Sequence, residues 1–127
     1  MAIIRLMEES DAEGRVKEIF REVKETLQVP FVPDLFRALA ARPDQLEAIW
    51  AQIKGLFGSG SLDVKTKALA ALAVSAAQRS AYFVAIHSML LKRLGTTDEE
   101  IAELLEVASL STALNTLVSG LALEPEL

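Results

Sequence analysis

Residues 62–101, LDVKTKALAALAVSAAQRSAYFVAIHSMLLKRLGTTDEEI, set the architecture expected of this chain. After Lys67 the run is apolar on nearly every side, which predicts a helix over 63–77 buried all round. A break near 78–80 leads into a second helix over 82–94. Gly95 closes it, because glycine accepts the positive φ needed just after a helix. Thr97 and Glu100 form a capping box, in which each side chain satisfies a free backbone N–H at a helix start. The helix they open carries Ile101, Leu104, Leu105 and Ala108 inward, and a last helix is expected over about 112–123.

Toward the N-terminus the same period continues. Ser10 and Glu13 read as another capping box, followed by Ala12, Val16, Ile19, Phe20, Val23 and Leu27 on one helical face. Pro30 ends that helix. Pro33 opens a short one through Phe36 and Leu39, and Pro43 opens the next, with Leu46, Ile49, Trp50, Ile53 and Phe57 inward. Gly58-Ser59-Gly60-Ser61 is a flexible turn, too short for a domain linker. No strand alternation or internal repeat is visible. The expectation is one all-α domain, 1–127, with about six to seven helices.

The chain has 127 residues, 51% of them hydrophobic, and a net charge of -5. That apolar share exceeds what a small monomer needs, so a homo-oligomer is expected, with the surplus focused on 68–77 and 107–123. No basic patch stands out, which argues against nucleic acid as a partner. Residues 107–123 are uncharged and nearly long enough to span a bilayer, but Ser109, Ser111, Thr112, Asn115, Thr116 and Ser119 interrupt them. A packed partner helix suits that pattern, so no membrane is expected. Residues 1–7 lack the apolar core of an export signal, which points to the cytoplasm. There is no cysteine, hence no disulfide, thiolate ligand or thiol nucleophile.

Order and spacing then carry a resemblance across most of the chain. Val29-Pro30-Phe31-Val32-Pro33 and Leu35-Phe36 are followed by Arg42-Pro43 and a helix with Trp50. Leu62 precedes the alanine-rich helix, and His87 stands eight residues before Gly95, ahead of Thr97-Asp98-Glu99-Glu100-Ile101. This resembles the AhpD-like branch of the carboxymuconolactone decarboxylase superfamily, with a family core at about 62–110. The resemblance implies an AhpD-like helical bundle, assembled as a trimer or a trimer of dimers. The redox branch carries a glutamate, a CxxC pair and a histidine. Aligned on His87, those positions hold Ala68, Ser80 and Phe83, so only His87 remains.

The losses have plain chemical consequences. A CxxC pair reduces peroxide because one thiolate attacks and the other resolves the sulfenic acid as a disulfide. The Ser80 hydroxyl is not ionised near neutrality, Phe83 offers no nucleophile, and Ala68 removes the acid of a proton relay. His87 is a candidate acid or base, since imidazole titrates near neutrality; a plain helix residue hydrogen-bonded in the core is the alternative. Ser80, Tyr82 and Arg79 are candidate neighbours of a cavity at His87. Ser80 and His87 as a nucleophile–base pair would stand about 10 Å apart on one helix, and no third acid is placed to orient them. The Glu8-Glu9, Glu99-Glu100 and Glu103-Glu106 clusters lack histidine partners, so neither metal nor cofactor is expected. Three readings follow. The first is a cysteine-free family member that binds a small apolar ligand or acts structurally. The second is a decarboxylase- or isomerase-like enzyme using His87. The third, hydroperoxide reduction, is contradicted by the missing thiols.

Overall fold

The computed structural model describes residues 2–127. Six α-helices make up the described chain: α1 (Gly14–Leu27), α2 (Asp34–Leu39), α3 (Pro43–Gly58), α4 (Val64–Ala77), α5 (Ala81–Arg93) and α6 (Asp98–Gly120), with a 3-10 turn at Glu9–Asp11. The described residues contain no strand. The helices fall into two compact units that part at Gly60 and Ser61, within the glycine-serine turn.

The first unit is organised by the apolar face of α1. Val16, Ile19, Phe20 and Val23 are buried there and meet Val32, Phe36, Leu46 and Trp50. Phe36 and Trp50 pack edge to face, with ring centroids 5.6 Å apart. Trp50 has one polar atom to satisfy, and its Nε1–H donates to Glu22 Oε2 at 2.8 Å. Lys54 Nζ donates to the same carboxylate oxygen at 3.1 Å. These bonds, Trp50 first and Lys54 second, hold the Glu22 carboxyl below its ordinary value. A second acid pins the N-terminal segment. Glu9 accepts from Lys24 Nζ at 2.9 Å and from the Val32 N–H at 3.1 Å, joining the entry of α1, its last turn and the loop beyond it.

In the second unit, Asp63 caps α4 by accepting the Thr66 N–H at 2.7 Å. Ala68 and Leu72 on α4 and Leu91 on α5 are fully buried, with Leu69, Val84, Leu90, Ile101 and Leu104 against them. The Thr97–Glu100 capping box forms as expected and starts α6. Lys65 ties Glu100 to the first turn of α4 at 2.7 Å.

Three expectations need correction. Ser10 and Glu13 do not cap α1. Gly14 at φ 57 and extended Glu13 break any helix running through 10–13, and α1 starts without a side-chain cap. α4 is not buried on every side: Ala68, Leu72 and Ser75 are its buried residues, and Val74 is exposed, because α5 and α6 cover one side of it. The two C-terminal helices are one 23-residue helix. Its hydroxyls do not open a new helix; Thr112 Oγ1 donates to the Ala108 carbonyl at 2.8 Å and Thr116 Oγ1 to the Thr112 carbonyl at 3.0 Å, bonding back along α6. By length and composition α6 is long and apolar enough to cross a bilayer.

Glu22→Gln tests the first unit. The wild-type carboxyl titrates below its unfolded value of 4.5, so its stabilisation is complete above that pH and is lost as pH falls through the folded value. With 23% of the side chain exposed, solvent screening keeps the expected loss to about 1 kcal/mol at pH 7. Urea denaturation of both proteins should show that gap at neutral pH and show it narrowing as pH falls below 4.5.

Candidate functional site

The site is set by the three-residue connection between α4 and α5. The Ser80 N–H donates to the Ser75 carbonyl at 2.9 Å and the Arg79 N–H to the Ala76 carbonyl at 3.1 Å. That paired closure needs a left-handed residue, and Arg79 supplies it at φ 58. Ser80 then begins α5, its Oγ accepting the Phe83 N–H at 3.3 Å. One residue thus closes one helix and caps the next. Ser80 is engaged as a cap, and Arg79 is exposed on the turn.

His87 lies two turns further along α5. Val84, His87 and Leu91 are spaced three and four apart, so they share a face, and Val84 and Leu91 both pack into the cluster around Ala68. The imidazole is half-buried on this inner stripe and stacks on Phe83 at 5.4 Å, with the planes 22° apart. The Tyr82 and Phe83 rings meet at 80°, with centroids 5.3 Å apart, and Tyr82 is 39% exposed. Tyr82, Phe83 and His87 thereby form an aromatic ladder along the start of α5. Burial pushes the His87 pKa below its ordinary 6.5. A neutral ring has one donor and one acceptor nitrogen, so it can exchange a proton or hydrogen-bond a ligand.

An open groove on α5 is lined by Ala85, Ser88, Met89, Lys92 and Arg93. Ala85, Met89 and Lys92 are about half a turn around the helix from His87, so groove and imidazole belong to different faces. Of the four candidate residues, then, His87 and Tyr82 are linked through Phe83, while Ser80 and Arg79 serve the turn. Ala68, at the position of the family acid, is sealed among leucines. Sequence reading passed over two buried hydroxyl residues, Ser75 and Thr96. Ser75 follows Ala68 and Leu72 at intervals of four and three, a spacing that marks the inner face of α4. Thr96 Oγ1 is buried without a hydrogen-bond partner. Among the described residues no cluster of three or more His, Asp or Glu is placed to hold a metal.

Comparison with known proteins adds three findings. The model of the Carboxymuconolactone decarboxylase family matches residues 43–123. The (R)-2-haloacid dehalogenase of Pseudomonas putida is 31% identical over 111 residues, 83% of this chain and 35% of that protein. The chain thus spans about a third of the length of the curated relative it matches. The crystal structure of the alkylhydroperoxidase AhpD core from Rhodospirillum rubrum ATCC 11170 matches with a TM-score of 0.92 and 31% identity, covering 99% of this chain and 95% of that one.

NMR titration of the His87 ring protons should give a pKa below 6.5. The unfolded chain takes up the proton first, so stability should fall as pH drops below that value and level off beneath the folded pKa. His87→Gln should remove this segment of the stability–pH curve. A pKa at or above 6.5 would instead indicate an exposed ring or an acidic partner.

Proposed function

The chain belongs to the carboxymuconolactone decarboxylase family as an AhpD-like member without cysteine, and from that premise we propose that it acts without thiol chemistry, as a cytoplasmic homo-oligomer that binds a small apolar molecule or serves structurally. The observation that carries this reading is the state of the old redox positions. Ala68 is fully buried in an apolar cluster, Ser80 is a helix cap, and Phe83 stacks on His87. Peroxide reduction needs a thiolate to attack and a second thiol to resolve the product, and neither exists here. An acid at position 68 would meet leucines rather than a hydrogen-bonded relay. What remains is aromatic and apolar, with one neutral imidazole, and that favours an uncharged ligand over an anion.

A second reading rests on His87 itself. A half-buried imidazole that is neutral at pH 7 is a competent general base, and the family premise makes a decarboxylase- or isomerase-like reaction its natural use. The dehalogenase relative adds (R)-2-haloacids as a substrate class to assay.

The two readings separate in one set of assays. With an organic hydroperoxide and a dithiol reductant, turnover should not exceed the protein-free rate. The double variant Ser80→Cys, Phe83→Cys should stay far below a complete peroxidase, because Ala68 still offers no acid. Halide release from (R)-2-haloacids should be absent under the first reading. Release that is lost in His87→Gln would establish the second, and hydroperoxide turnover by the wild type would refute the first by showing a peroxidase route that uses no protein thiol.

A further inference from the structure

Among the described residues His87 has no polar anchor. Burial alone lowers its pKa, and no hydrogen bond or charged side chain contributes. Val84 and Leu91, its neighbours on the same face, join Ala68, Leu69 and Leu72 of α4 and Ile101 and Leu104 of α6, none of which titrates. Glu100, the acid beside Ile101, is taken by Lys65 and Thr97. Rotamer preference does not turn the ring either. The χ2 torsion of histidine is broad and roughly two-fold, so the helix fixes where the imidazole sits and leaves its plane open. A hydrogen bond at one nitrogen would set the tautomer and the orientation together. His87 has to be oriented by something else.

One contact restricts the plane. Phe83 stands four residues earlier and so on the same face of α5. Its ring lies against the imidazole with centroids 5.4 Å apart and planes 22° apart. Near-parallel planes constrain the ring torsion itself, which contact with aliphatic side chains does not. Phe83 is in turn held from two directions. Its N–H donates to Ser80 Oγ at 3.3 Å, which places it in the first turn of α5. The Tyr82 ring meets it at 80°, with centroids 5.3 Å apart.

We propose that Phe83 is the positioning residue of His87: its ring, set by the Ser80 cap and the Tyr82 ring, fixes the plane of the imidazole. The proposal deepens the reading of His87 as a general base and rests on it for its consequence in catalysis. A base held by stacking differs from one held by a hydrogen bond. Stacking occupies a face of the ring and leaves both nitrogens unspent, one as acceptor and one as donor. A substrate can therefore engage both at once, at a ring whose direction is already set.

NMR of the His87 ring carbons reads the plane directly. Their relaxation in the wild type should give order parameters near those of rigid backbone, about 0.85. Phe83→Leu keeps an apolar side chain without a ring and should lower them to below about 0.6. Phe83→Tyr restores a ring and should return them to the wild-type level. Circular dichroism should show the same helix content in all three, since Phe83 is only part-buried. A mobile imidazole in the wild type overturns the proposal without any variant. A ring as rigid in Phe83→Leu as in the wild type, or one left mobile in Phe83→Tyr, overturns it as well. Catalysis is read separately, as halide release from (R)-2-haloacids. Phe83→Leu should lower kcat at least about tenfold with KM retained, because a misdirected base costs rate rather than binding. Phe83→Tyr should recover that loss. Equal kcat in all three proteins overturns the positioning role. Absence of release from the wild type removes the base reading alone, and the ring order parameters then decide whether Phe83 positions His87.

Discussion

Full burial of Ala68 and Leu72 on α4 against Leu91 on α5 is the constraint from which the second unit follows. It fixes which side of α5 faces inward, and that places His87, lying between Val84 and Leu91, at the edge of the core rather than in water. It also explains the imidazole's low pKa, since the surroundings desolvate the ring. A methyl group at position 68 is compatible with leucine neighbours on every side. A carboxylate there would be a buried charge in need of a partner, and removing one member of such a pair is costly while filling the space with hydrocarbon often is not. Loss of the acid and sealing of the core are therefore one physical change.

The first unit solves a different problem. A helix as apolar on one face as α1 must also direct a tryptophan's N–H and the N-terminal segment, and two carboxylates do both. Glu22 satisfies Trp50 from the rim, and Glu9 reaches Lys24 and Val32. Neither role is visible as a motif, because each acid is far in sequence from the group it binds. Helical periodicity shows which residues face inward and says nothing of which exposed acid will bend over a buried donor.

Helix boundaries show the same division between legible and hidden. Pro33, Pro43, Thr97 and Gly95 act locally, through fixed φ, a side-chain acceptor or freedom at positive φ, and their elements were readable. α1, α4, α5 and α6 all end in paired closing bonds around a left-handed residue, yet only α5 uses glycine. Gln28, Arg79 and Ala122 take the other three places, and none announces a helix end. Arg79 is a candidate cavity neighbour by sequence, whereas its left-handed backbone is what the structure uses. Ser80 is the reverse case. Its position matches a redox cysteine, and its side chain serves the helix start that the same position requires.

The apolar excess of the sequence finds its place in α6. Within one chain the cores of both units account for α1, α3, α4 and α5, but α6 leaves Leu110, Leu117 and Leu121 more than half exposed. Exposed leucines scattered singly need no explanation. Val107, Leu110, Leu114, Leu117 and Leu121 at heptad intervals are a different matter, since they make one continuous apolar stripe along α6 and its C-cap. The hydroxyls that made this region look like two helices are the reason it can be one: Thr112 and Thr116 bond back to their own helix and do not interrupt it.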